Sequence, residues 1–294
     1  MKENASVTFL YHTLPGHLLL KLMMLLRIDR LIVCFLRSRL SNLIVPYFVK
    51  KNGIDLSRFA ESSFATYRDL FLRHKKKIVF DGEETALVSP CDGYLSAYRI
   101  GEDTGFVIKG MRYTLRRLAG VCLGDASRFR GGCALVLRLS AADYHHYHYF
   151  DDCVQHAHHA TGGKLHSVQP AALQTYPVFA ENRRRSSVLS TAHFGRVIQI
   201  EVGAFVVGGI VNHHDAGHHA RGEEKGHFDL SGSTIVLLFE TDRVRLRKDM
   251  RRALARGEEV RVETGERIGS AKARDIMRAE AAKEHDGKGS GKVQ

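Results

Sequence analysis

The rhythm of apolar and polar positions changes near residue 75 of the 294-residue chain. Before that point apolar clusters alternate with cations. In "HLLLKLMMLLRIDRLIVCFLRSRLSNLIVPYFV" the run is broken by Lys21, Arg27, Asp29, Arg30, Arg37 and Arg39. Further on, Phe64, Tyr67 and Phe71 of "SSFATYRDLFLRHKKK" recur at helical spacings, so residues 1–75 read as a helical segment. From Ile78 the texture becomes short β-branched and aliphatic runs between turn signals: "KIVF", "TALVSP", "GYLSAYRI", "GFVIKG", "CALVLRL", "RVIQIEVGAFVVGGIV" and "STIVLLFE". These predict a β-rich domain over 76–269. The tail, 270–294, is polar and ends rich in Gly and Lys, which predicts a frayed helix followed by disorder. The expected fold class is α+β, with no internal repeat and no P-loop or dinucleotide glycine pattern.

Charge adds a partner to this picture. Forty-four Lys and Arg against thirty-two Asp and Glu give a net charge of +12, which suits an anionic partner. Nucleic acid is not expected, because the cations are not interleaved with an aromatic platform. An acidic membrane face is the better match. No apolar span reaches the roughly 20 residues that cross a bilayer, and the N-terminus does not resemble a signal peptide. Apolar clusters punctuated by Arg and Lys fit helices lying in a membrane interface; a helical cap packed on the body is the plainer alternative. Five cysteines, odd in number and without C-x-x-C spacing, point to reduced thiols in a cytosolic setting. The expected location is therefore peripheral, on the cytoplasmic face of a membrane.

Three polar clusters stand at the ends of apolar runs, where reactive groups are displayed. "SPCDGYL" carries Asp92, which is also a turn-forming residue before Gly93. "SAADYHHYHYFDD" packs His145, His146 and His148 among carboxylates; in a strand His146 and His148 share one face and His145 takes the other. "DLSGSTIVLLFE" sets Gly232-Ser233 at the mouth of a buried strand. An acid, a histidine and a hydroxyl are the composition that activates a serine nucleophile, but the G-x-S-x-G context of an α/β-hydrolase is missing. Further histidines cluster at His156, His158 and His159 and at His213, His214, His218 and His219. None has zinc-motif spacing, so solvated loop histidines are the plainer account and no metal is expected.

The three clusters, in this order, resemble the signatures of the phosphatidylserine decarboxylase family, from about Tyr67 to Gly269. "YRDLFLR" is similar to the family's aromatic-rich Arg motif, "SPCDGYL" to its Ser-Pro-x-Asp-Gly block, and "RLSAADYHHYHYFDD" to its Asp-Tyr-His-Arg-x-His block. "GKLHSVQPAAL", "PVFAENRR", "QIEVGAFVVGGIVNH" and "RGEEKGHFDLSGSTIVLLFE" continue in family order. The resemblance implies that Ser233 attacks the Gly232 carbonyl, that the chain severs there, and that Ser233 becomes a covalent pyruvoyl cofactor. It implies a maturation triad of Asp92, His148 and Ser233, with His145 positioning substrate and assisting protonation. The pyruvoyl ketone would form a Schiff base with phosphatidylserine and release CO2, giving phosphatidylethanolamine. Its implied partners are phosphatidylserine in an anionic membrane and the α and β chains of one precursor; homo-oligomerisation is left open.

The sequence departs from that pattern at His146, where most members carry Arg, at "YFDDC", and at Ser231 before the cleavage site. Two other readings remain: the same chemistry on another serine-headgroup lipid or an amino acid, and a non-catalytic membrane-binding β protein whose histidines bind metal.

Overall fold

A computed structural model of the chain describes residues 5–156, 158–164, 166–204, 209–230 and 233–272. Gly232 and residues 273–294 of the tail lie outside them. The helical segment contains α1 (Ala5–His12), α2 (Leu14–Leu25), α3 (Ile28–Arg37), α4 (Val45–Asn52) and α5 (Tyr67–Phe71). Pro46 opens α4, where the missing N–H costs nothing, and Gly53 closes it in the left-handed region. Thr66 and Asp69 form a reciprocal capping box that starts α5.

The body follows as β1 (Ala86–Val88), β2 (Gly93–Arg99), β3 (Gly105–Ile108), β4 (Met111–Thr114), β5 (Cys133–Leu139), β6 (His146–His148), β7 (Cys153–Gln155) and β8 (His159–Thr161). It continues through β9 (Arg184–Thr191), β10 (Gly195–Gly203), β11 (Gly209–Asn212), β12 (Gly217–His219), β13 (Glu224–Asp229) and β14 (Ser233–Phe239). The last strands are β15 (Val244–Leu246), β16 (Val260–Val262) and β17 (Arg267–Ala271). "KIVF" forms no strand: Val79 faces solvent while Phe80 turns in against His148, so the run has one anchored residue and no ladder partner.

The large antiparallel sheet runs β12-β7-β9-β10-β14-β5-β2-β16, with β8 also paired to β9. Its central strand, β14, is apolar at consecutive positions because both faces are covered. Val236 and Leu238 join a core with Leu115, Leu118, Val178 and Phe179 of short helices on one side. Ile235, Leu237 and Phe239 join a second core with Tyr147 and Phe228 on the other. Those last two belong to a small sheet ordered β11-β13-β6. This sheet carries the histidine block and hands the chain from β13 to β14, so the layer stack brings the three sequence clusters to one end of the fold.

Candidate active site

Ser233 is the first residue of β14 and fully buried, paired with Gly203 of β10 and Leu139 of β5. Strand alternation gives it the face shared by Ile235 and Leu237. The approach to it is held firmly. Asp229, the last residue of β13, accepts two bonds from Arg68 (Nε to Oδ1 2.9 Å, Nη2 to Oδ2 3.1 Å) and one from Arg37 (2.9 Å). Leu230 follows at φ 50°, a region an L-residue enters at a cost, and is nearly fully buried with Tyr67, Leu70 and Phe71.

His145 is reached from the same two elements. Its carbonyl accepts the Phe228 N–H, and its ring stacks on Phe71 at 3.7 Å between centroids. The imidazole is fully buried, and neither ring nitrogen meets a hydrogen-bond partner among the described residues. Burial, reinforced by the charge of Arg73, holds it neutral well below the usual histidine range. Arg73 in turn is buried, donating to the carbonyls of Leu70 and Asp143.

Asp92 and His148 share a second neighbourhood. The Pro90 carbonyl, two residues before Asp92, accepts the His148 N–H. Gly93, after Asp92, sits at φ 153°, and a Cβ there would lie 2.8 Å from the Arg138 carbonyl oxygen; the turn requires glycine. Asp92 Oδ1 accepts from Lys75 Nζ (2.6 Å) and from Thr264 through both its N–H and its hydroxyl (2.8 Å each). Burial would raise the Asp92 carboxyl, but the Lys75 charge and these bonds outweigh it and leave the group below the usual range. His148 is pushed down to about 4, first by burial, with Glu224 opposing. Its ring lies among Tyr144 and Phe80, and its Nδ1 has no hydrogen-bond partner among the described residues.

The structure thus groups Asp92 with His148 through Pro90, and His145 with the lead-in to Ser233 through Phe228 and Phe71. The described hydrogen bonds of Asp92 go to Lys75 and Thr264. Sequence reasoning missed Lys75, Thr264, Arg68 and the Arg37–Asp229 contact. Only "YRDLFLR" flagged any of them; Lys75 was hidden in a run of three lysines.

A cleft of ≈ 370 Å³ opens beside Asp92. Its walls include Gly53 at the end of α4, Arg58, Lys75, Tyr144, Arg261 and Glu263. Arg261 reaches Asp143 at 2.7 Å. Cations and carboxylates therefore line one concavity between the N-terminal helices and the β body.

The described cysteines are all free thiols. Among the described residues no single helix is long and apolar enough to cross a membrane, although α3 together with the chain 39–52 passes that test as a pair bent by 81°.

Comparison with known proteins gives the family. The profile of the phosphatidylserine decarboxylase family matches residues 64–270. The phosphatidylserine decarboxylase proenzyme 2 of Clostridium acetobutylicum is 36% identical over 273 residues, covering 91% of this chain and 92% of that protein. Proenzymes of the same name are 36% identical in Ruminiclostridium cellulolyticum (89% of each chain) and in Clostridium kluyveri (80% of this chain, 81% of that protein).

Proposed function

The chain belongs to the phosphatidylserine decarboxylase family, and from that premise we propose how its own residues carry out decarboxylation of phosphatidylserine at a membrane surface. The observation that carries the reading is the cleft beside Asp92. Its cations suit the phosphate and carboxylate of the headgroup, and its carboxylates suit the ammonium. It lies against the end of α4, and the segment 14–44 that leads into α4 exposes Leu14, Leu18, Leu25, Leu31 and Leu43, each more than 60% accessible. So many exposed large apolar side chains interspersed with Arg and Lys support a helical layer resting in lipid. Free thiols accord with the cytoplasmic face of that membrane.

Maturation begins with Ser233 Oγ attacking the Gly232 carbonyl. The C–N bond breaks as the C–O bond forms, moving the acyl group from nitrogen to oxygen. His148, neutral at physiological pH, takes the hydroxyl proton; Asp92, kept ionised by Lys75 and Thr264, supplies the negative charge of that neighbourhood. β-Elimination then removes the Ser233 Cα proton to a base and breaks the Cβ–Oγ bond, leaving a Gly232 carboxylate on one fragment and a dehydroalanine, in equilibrium with its imine, at the start of the other. Water adds to the other fragment and ammonia leaves.

The residues present fit the resulting pyruvoyl group. Ser233 is fully buried on a central strand, and the buried His145 ring offers two nitrogens without partners, a costly arrangement unless a ligand supplies them. When formed, the group supplies a carbonyl electron sink. His145, stacked on Phe71, orients the substrate and, being neutral, relays the proton that replaces CO2, one ring nitrogen giving up its hydrogen as the other takes one from water. The two fragments stay together, because β14 keeps its seven-residue ladders to β10 and β5 after the cut.

The test is CO2 release from vesicles of phosphatidylserine, compared with a water-soluble short-chain analogue. Leu18→Glu together with Leu25→Glu should cut vesicle turnover at least tenfold and spare the soluble substrate. Equal loss on both, or turnover of free serine in preference to lipid, would defeat the lipid-surface reading.

A further inference from the structure

Four side chains on the small sheet converge without serving the chemistry above. Glu224 Oε1 lies 2.7 Å from His146 Nδ1 and 3.0 Å from His213 Nε2. His213 Nε2 is in turn 3.4 Å from His227 Nδ1. His146 and His227 stand directly opposite each other on β6 and β13, so their spacing is set by the ladder. Ligand atoms of His146, Glu224 and His227 all fall within 4.8 Å of one another.

Proton bookkeeping at His146 is informative. Its Nε2 sits 3.1 Å from the Leu72 carbonyl, which can only accept, so that nitrogen carries a hydrogen. The other nitrogen, Nδ1, therefore faces a carboxylate oxygen and needs a cation between them, either a proton or a metal ion. A backbone carbonyl that fixes one nitrogen and aims the other is the usual support of a metal-bound imidazole. We propose that His146, His213, Glu224 and His227 bind one divalent transition-metal ion of the zinc class. A tetrahedral ion with bonds near 2.0–2.1 Å separates its ligand atoms by about 3.3 Å. The spacings of 2.7, 3.0 and 3.4 Å along this chain of contacts lie on either side of that value, and the ligand atoms of His146, Glu224 and His227 would close from at most 4.8 Å.

Entry is open, since the Glu224 and His213 side chains are about one-third exposed, at 32% and 36%. His146 is buried and rigid, stacked on Tyr144 at 4.9 Å. The ion would tie β6, β13 and the end of β11 together beside His145 and His148. Linear spacing could not show this site, because its ligands come from three separate segments.

A second group, His214, His219 and Glu223, provides the internal control. Untagged, chelator-stripped full-length protein is incubated with Zn2+, and bound metal is counted after gel filtration beside thermal unfolding with and without zinc. The expected result is one zinc per chain, a raised melting temperature, and tetrahedral Co2+ bands on substitution. His213→Gln and His227→Gln should each weaken binding at least tenfold while their zinc-free forms melt like zinc-free wild type; His219→Gln should bind normally. If His227→Gln lowers zinc-free stability, His213→Gln, on a more exposed residue, carries the comparison. The proposal is overturned if wild type retains no zinc, if both variants bind as wild type does, or if His219→Gln alone abolishes binding.

Discussion

Replacing Arg68 with Ala should slow self-processing without touching the reacting atoms. Arg68 holds Asp229 by a two-bond fork, and Asp229 ends β13 four residues before Ser233. Next to it, Leu230 sits at φ 50°, which costs an L-residue about 1–2 kcal/mol. That strain is held by burial of the Leu230 side chain, worth about 2 kcal/mol, and by the carboxylate clamp. A charge-assisted fork of this kind contributes about 1.5–3 kcal/mol when shielded. Arg68 is 36% exposed against 8% for Asp229, so the lower end applies, about 1.5–2 kcal/mol. Arg37 keeps one bond to Asp229 and prevents complete release. If the clamp is what keeps Leu230 in its strained conformation, its loss lowers the population of the processing geometry by about 10–30-fold. The assay is cell-free synthesis with pulse labelling, following the precursor fraction with time. Arg68→Ala should lengthen the half-time by that factor, Arg68→Lys should recover part of it, and Arg256→Ala, on a distant exposed pair, should do nothing. Processing of a folded Arg68→Ala chain at the wild-type rate would refute the clamp.

Three further outcomes follow from buried chemistry. Lys225 and Glu201 form an ion pair with neither side chain exposed (2.7 Å), so Lys225→Met should cost about 3–5 kcal/mol by stranding Glu201, and adding Glu201→Gln should recover much of it in denaturant titrations. Gly93→Ala, forced against the Arg138 carbonyl at positive φ, should destabilise by about 2–3 kcal/mol in the same assay. Asp92 has a folded pKa below its unfolded value of about 3.9, so its stabilisation is present above that pH and lost as pH falls toward the folded value. Wild type should therefore lose its stability advantage over Asp92→Asn as pH falls below about 4, and a difference that stays constant on acidification below that point would contradict the pairing with Lys75.

Much of this architecture was legible in the chain. The apolar run after Ser233 announced a buried strand, and the change of rhythm near residue 75 falls between the end of α5 at Phe71 and the start of β1 at Ala86. Motif order identified the family because several blocks agreed, although none would have sufficed alone. What stayed hidden was long-range. Lys75 reaches Asp92, Thr264 caps it from 172 residues away, and Arg37 meets Asp229 from a segment read either as lying in a membrane interface or as a helical cap on the body. "KIVF" had strand composition but no partner, and strand pairing is a property of the fold. The His146–Glu224–His227 group went unseen, because the spacing motifs sought among the other histidines cannot find ligands brought together by β6 and β13.

The most direct measurement is the intact mass of purified wild-type protein beside Ser233→Ala. The account predicts two wild-type fragments divided between Gly232 and Ser233, the C-terminal one about 17 Da lighter than simple hydrolysis leaves it, because pyruvoyl formation expels ammonia. The variant should remain one chain. A wild-type chain that stays whole when produced with membranes present, or a C-terminal fragment still carrying an intact serine, would contradict the account at its centre.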